Sequence, residues 1–178
     1  MGKVGDYFLE VAKVVLLVLV IVLPIRYFLF QPFMVRGVSM EPSFEQSDYL
    51  MVDQVSYNFR DPERGEVVVF HYPDNPQKRH IKRIIGLPEE RVVIEEGRIS
   101  VEKDGELKVL EENYILSSGR KDEEVTLEEN EYFVVGDNRE ASFDSRNWGS
   151  LPRENIIGRV FFQVSPFDIF GFVERPEY

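Results

Sequence analysis

The stretch RVVIEEGRISVE, residues 91–102, alternates apolar and polar side chains on both sides of Glu96-Gly97. A period of two is the repeat of a strand with one buried face, and Glu-Gly between two such runs is the pattern of a hairpin turn. Working outward, further short apolar runs lie at Tyr49–Val52, Glu66–Tyr72, Tyr132–Val135 and Ile157–Phe162, separated by Gly, Pro, Asn and Asp. No segment past Phe33 sustains a helical period. The expected fold is mostly β, a barrel or a pair of packed antiparallel sheets.

The hairpin lies in the most acidic part of the chain. Residues 89–131 hold 15 Asp and Glu against 6 Lys and Arg, which supplies most of the net charge of -11. This region is expected to be a hairpin-rich solvated surface, with SSGRKDEE (residues 117–124) as an exposed loop. No basic cluster is dense enough to track phosphates, so a nucleic-acid partner is excluded. The chain has no cysteine, which removes disulfides, thiolate metal ligands and a cysteine nucleophile. At 178 residues there is room for one anchor and one modest domain.

Ahead of the β region, Val14–Ile25 reads VVLLVLVIVLPI without a charge. That run is shorter than the roughly 20 residues needed to cross a bilayer core. Its flanks extend it: Lys13 and Arg26 can snorkel on opposite sides, and Tyr27, Phe28, Phe30 and Phe33 form an interfacial aromatic set. The expectation is a transmembrane helix from about Phe8 to Phe28, with Pro24 bending its outer end. A cleaved secretory signal competes less well, because PFMVRG (residues 32–37) offers no small-x-small site. The other competitor is a core helix of a soluble protein. The expected organisation is a tail and anchor over 1–30 and a β-rich domain over 31–178.

The residue inventory limits the chemistry. His71 and His80 are the only histidines, neither has an adjacent carboxylate, and no zinc-ligand spacing occurs, so no metal site is expected. Two segments depart from the background. In GVSMEP (residues 37–42) a serine stands between glycine and proline, and in GDNREASFDSRNWG (residues 136–149) a turn precedes a dense set of Ser, Asp, Asn and Arg. Both also read as plain turns, the second with Asp144 and Arg146 as a supporting ion pair.

Taken together these segments resemble the bacterial type I signal peptidases, in the small single-anchor Gram-positive-like form. Ser39-Met40-Glu41-Pro42 matches the family's nucleophile motif, Ile81-Lys82-Arg83-Ile84-Ile85-Gly86-Leu87-Pro88 its lysine motif, and Gly136-Asp137-Asn138-Arg139 through Ser142, Asp144, Ser145, Arg146 and Gly149 its acidic motif. Arg64–Phe70, RGEVVVF, resembles the family strand between them. The resemblance implies a membrane-bound serine endopeptidase with a Ser39-Lys82 dyad and no cofactor. In it Ser142 orients the Lys82 amine, Asp144 and Arg146 pair to hold the segment around Ser142, and Asp137 helps to shape it. Gly37 stands where some members have a serine hydroxyl for the oxyanion, which leaves the second donor open.

A lysine amine has a reference pKa near 10.4, so to serve as a base near neutral pH it needs about 3 units of depression, which an apolar burial provides. Ile81, Ile84 and Ile85 are the expected surroundings, with Arg83 pointing away by strand alternation. His80 is the runner-up base; family members that use histidine carry it at the lysine position, which Lys82 fills. The implied substrates are secretory preproteins cut after Ala-x-Ala-like sites, with Phe33, Val35, Phe44 and Ile81 lining the pockets. The implied place is the plasma membrane, crossed once, with the catalytic domain on the extracytoplasmic side. Two other readings stay open: a catalytically silent, membrane-tethered module that binds signal peptides, and a soluble Ser-Lys self-cleaving repressor, against which the anchor speaks.

Overall fold

The computed structural model describes residues 3–24, 30–119, 122–165 and 170–178. Helix α1 spans Lys3–Pro24. Strands β1 (Phe30–Met34), β2 (Tyr49–Asp53), β3 (Val67–Tyr72) and β4 (Asn75–Gly86) follow. Next come β5 (Arg91–Glu95), β6 (Arg98–Lys103), β7 (Glu106–Val109), β8 (Glu123–Thr126) and β9 (Glu131–Val135). A single-turn helix α2 (Ser145–Trp148) precedes β10 (Leu151–Pro152), β11 (Ile156–Val164) and β12 (Phe170–Phe172).

The strands make two antiparallel sheets. The larger runs β1-β2-β11-β3-β4-β9-β10, with β12 added to β11, and the smaller runs β7-β6-β5-β8. The mostly β expectation therefore holds as two sheets. The 91–102 stretch is the β5–β6 hairpin, with Ile94 opposite Ile99 and Val92 opposite Val101. Glu96 and Gly97 both take positive φ, 49° and 80°, as the two central residues of a type I′ turn require.

Three apolar clusters hold the sheets. One, with Ile94, Ile99, Phe133 and Val135, joins the small sheet to the large one. A second, with Val35, Phe44, Leu50 and Val69, lies under the β1–β2 end. A third, with Phe70, Ile84, Tyr132 and Leu151, fills the β3–β4–β9 side. The acidic region is thus only half what its composition suggested: its strands point Glu and Lys outward while the alternate residues are buried in the shared core.

After α1, β4 is the main element that the apolar runs did not announce. Its first half, NPQKRH, is polar and exposed because β9 pairs with the strand only at Arg83, Ile84 and Gly86. Among the described residues, Asn75–Lys82 is hydrogen-bonded to a strand on the β3 side alone.

The helix α1 presents every side chain from Tyr7 to Val20 to the exterior. Among the described residues no helix is long and apolar enough to cross a membrane. The expected span over Phe8–Phe28 is therefore not established: Glu10 and Lys13 interrupt its first half, the described side chains stop at Val20, and Arg26, Tyr27 and Phe28 lie outside the described residues.

Candidate active site

Ser39 lies in the turn between β1 and β2, where Glu41 N–H donates to the Val38 carbonyl and Phe44 N–H to that of Met40. The preceding Gly37 has φ +94°, a conformation that disfavours a side chain although the space around it is open. That conformation suits a glycine just ahead of the serine turn.

Strand β4 brings Lys82 to this turn. Lys82 Nζ lies 2.8 Å from Ser39 Oγ, across a separation of 43 positions, and 2.7 Å from the Ile81 carbonyl oxygen. The side chain is buried, with 3% exposure. Burial lowers the amine's pKa from 10.5 to about 8, against the pull of the Asp144 and Asp137 carboxylates, while Arg146 adds to the depression. Ile81 packs on the cluster beneath the cleft, whereas Ile84 and Ile85 belong to the other two clusters.

The segment after β9 closes the site from behind. Asp144 caps α2, accepts from Gly136 N–H at 3.0 Å and takes both ends of the Arg146 guanidinium, each at 2.8 Å. Burial alone would raise its carboxyl; the hydrogen bond and charge of Arg146 lead the opposing effects that hold it below the ordinary range. Asn138 N–H donates to the Ser39 carbonyl at 3.1 Å, tying this segment to the serine turn.

Gly136 lies in the closest contact: a Cβ there would come within 2.2 Å of Ser142 Oγ and 2.4 Å of the Ser39 carbonyl oxygen. Ser142 thus arrives at the site, but its buried hydroxyl makes no hydrogen bond to Lys82 or to any other group among the described residues.

Arg83, next to Lys82, points to the other side of the sheet as strand alternation requires. It grips Asp137 through two bonds of 2.9 and 2.6 Å and donates to the Gly65 carbonyl at 2.9 Å. This buried ion pair was invisible in the sequence, since its members stand 54 positions apart.

In front of Ser39 and Lys82 a cleft of about 840 Å³ opens, walled by Phe33, Val35, Leu50, Val69 and Ile81. Three of the four expected pocket residues are there. Phe44 is not: at 1% exposure it is a core residue, turned inward by the Met40–Phe44 bend, and it borders a second cavity on the opposite side. Leu50 and Val69 were missed because their strands read as ordinary core. The cleft wall also carries Arg36, Arg79 and His80 and, among the described residues, no carboxylate. His80 stacks flat on Tyr72, with centroids 5.1 Å apart, and burial together with the neighbouring Lys82 charge lowers its pKa. Among the described residues no three His, Asp or Glu converge as metal ligands.

Comparison with known proteins meets this geometry. The family model described as signal peptidase, peptidase S26, matches residues 8–165. A probable signal peptidase I-2 of Synechocystis sp. is 37% identical over 92% of this chain and 76% of its own. Signal peptidase I of Leptolyngbya laminosa is 36% identical over 98% of this chain and 88% of its own. The crystal structure of a signal peptidase I from Enterococcus faecalis superposes with a TM-score of 0.50 at 28% identity, over 57% of this chain and 97% of that one. With a family match running through both the serine turn and the lysine strand, and relatives shared over most of their length, the chain belongs to the signal peptidase family, peptidase S26, and is a hydrolase that removes signal peptides.

Proposed function

We propose that Ser39 is the nucleophile and neutral Lys82 the general base of a membrane-anchored endopeptidase that cuts preproteins after small-x-small sites. The observation that carries this reading is the 2.8 Å contact between Ser39 Oγ and a desolvated Lys82 Nζ. A pKa of about 8 leaves a useful fraction of the amine neutral near pH 7, at a desolvation cost of about 3 kcal/mol. The neutral amine accepts the Ser39 proton as Oγ attacks the peptide carbonyl carbon; the ammonium then protonates the leaving amine. Water hydrolyses the acyl-serine ester with Lys82 again taking a proton. Asp144, Arg146 and Asp137 hold the segment that carries Ser142, and the Ser142 hydroxyl steadies the amine once rotation turns it that way.

The substrate adds as an extended strand on the open edge of β4, its main chain hydrogen-bonding to Asn75–Lys82. Alternate side chains then face Phe33, Val35 and Ile81, and bulky walls admit only small residues. The anchor belongs to the same reading: the apolar run of α1 turns its described side chains outward and packs in none of the three clusters. Such a helix is suited to lipid, single-pass in the plasma membrane, with the β domain extracytoplasmic. A catalytically silent binding module is not favoured, since binding gains nothing from a buried, depressed amine against a serine hydroxyl.

The test is cleavage of an Ala-x-Ala preprotein by the detergent-solubilised chain. Ser39→Ala and Lys82→Ala are each expected to lower the rate by about a thousandfold or more, and wild-type cleavage to rise with a midpoint near the Lys82 pKa of about 8. Cleavage that persists in either folded variant, or a flat profile from about pH 5 to 9, overturns the dyad.

A further inference from the structure

The acidic region sends one short segment back to the site. Glu112 forms a two-pronged ion pair with Arg139, and both side chains are buried. Arg139 Nε in turn donates to the Gly136 carbonyl at 3.1 Å, on the residue wedged between Ser142 and the Ser39 carbonyl. Two residues on, the Tyr114 ring covers Arg83, with the guanidinium carbon 4.3 Å from its centroid. Arg83 holds Asp137, the residue after Gly136. One tripeptide from the connection between β7 and β8 thus touches both supports of the segment behind the dyad.

The chain beyond β12 completes this arrangement. Tyr178 hydroxyl meets Tyr114 hydroxyl at 2.8 Å, and Tyr114 also reaches Glu112 at 2.8 Å. Arg175, Pro176 and Tyr178 lie so close on Gly65 that a Cβ there would meet them at 2.8, 3.2 and 3.1 Å. Gly65 is the residue whose carbonyl receives Arg83. Burial raises both phenols, so they stay neutral hydrogen-bonding groups at working pH.

We propose that Glu112, Tyr114 and Tyr178 form a brace of positioning residues that stands between the second cavity, which Arg83 and Tyr114 border, and the rear of the Lys82 site and keeps that rear dry. None of the three touches the cleft in front of the dyad. They act through Arg83-Asp137 and Arg139-Gly136, and with them lost, water reaches the lysine from behind. The Asp137 carboxylate, less firmly neutralised by Arg83, then pulls harder on the amine. Both changes favour the ammonium, so the lysine becomes a base only at higher pH.

The inference rests on Lys82 as base, and the experiment separates the two. Preprotein cleavage by the full chain is followed from about pH 6 to 10.5 for wild type, Tyr114→Ala, Tyr178→Ala and the milder Tyr114→Phe, with Lys82→Ala as control. The expected result is an alkaline displacement of the midpoint by about 0.5 to 1 unit in the alanine variants and less in Tyr114→Phe. Their rates fall roughly 3- to 10-fold at pH 7 and return to within about 2-fold of wild type near pH 10. A rate lowered equally at every pH, or an unchanged profile, overturns the brace while the dyad stands. Cleavage persisting in Lys82→Ala overturns the dyad reading itself. Should Tyr114→Ala fail to fold, Tyr178→Ala and Tyr114→Phe decide alone.

Discussion

The two sides of β4 treat their cations in opposite ways. On the cleft side Lys82 is buried beside a hydroxyl and a carbonyl, with no carboxylate among the described residues in hydrogen-bonding contact. On the rear side Arg83 is buried to the same degree but holds Asp137, the Gly65 carbonyl and the Tyr114 ring. One position along a strand separates a charge made costly from a charge made secure. The costly one is where a reactive neutral amine becomes available; the secure one fixes the floor beneath it.

The comparison breaks most severely at the secure charge. Asp137→Ala leaves the Arg83 guanidinium buried without its carboxylate, and is expected to cost about 3 to 5 kcal/mol of stability, read as a lowered urea midpoint. Stability within about 1 kcal/mol of wild type would mean that water reaches Arg83 and that the rear side is not closed.

The costly charge gives the opposite sign. The folded-state pKa of Lys82, about 8, lies below its ordinary 10.5, so on folding the chain releases a proton that the unfolded chain keeps between those values. The penalty is full below about pH 8 and disappears as the pH rises past about 10.5. Lys82→Met is expected to abolish cleavage yet gain about 2 to 3 kcal/mol at pH 7, a gain that fades in alkali. Denaturation midpoints at pH 7 and 10.5 check this; equal effects at both pH values would sever the link to desolvation.

The smallest effect sharpens the rear wall. Gly65→Ala crowds Arg175, Pro176 and Tyr178 against its face. It is expected to cost about 1 to 2 kcal/mol while leaving the cleft lining untouched, so the Michaelis constant stays within about 2-fold and the loss appears in the denaturation midpoint.

Much of this contrast was legible in the chain, and the part that was not has a physical reason. The 91–102 hairpin announces itself because one face is buried and the other wet. Ser39, Lys82 and the Asp144-Arg146 pair were marked by their resemblance to a family's local motifs, and their meeting came from that resemblance and not from spacing. The partners of Arg83 and Arg139 do not, since buried ion pairs here join residues 54 and 27 positions apart and leave no periodic trace. Glu112 and Tyr114 were hidden by their setting: in a stretch so acidic, two inward-facing residues look like the rest of a solvated surface. Phe44 misled in the other direction, because a phenylalanine five residues past the serine can as well point into the core as into the cleft.

An unpaired strand edge carries a second consequence. The first half of β4 offers a row of peptide groups to any extended chain, and another copy of this protein is one such chain. Gln77, Lys78 and Arg79 on that row are all exposed. Two copies docking edge to edge in antiparallel fashion would bring Lys78 and Arg79 against their counterparts, whereas an uncharged polypeptide meets no such repulsion. The charge on that stretch therefore discourages self-association into fibrils, and does so less well as salt concentration rises.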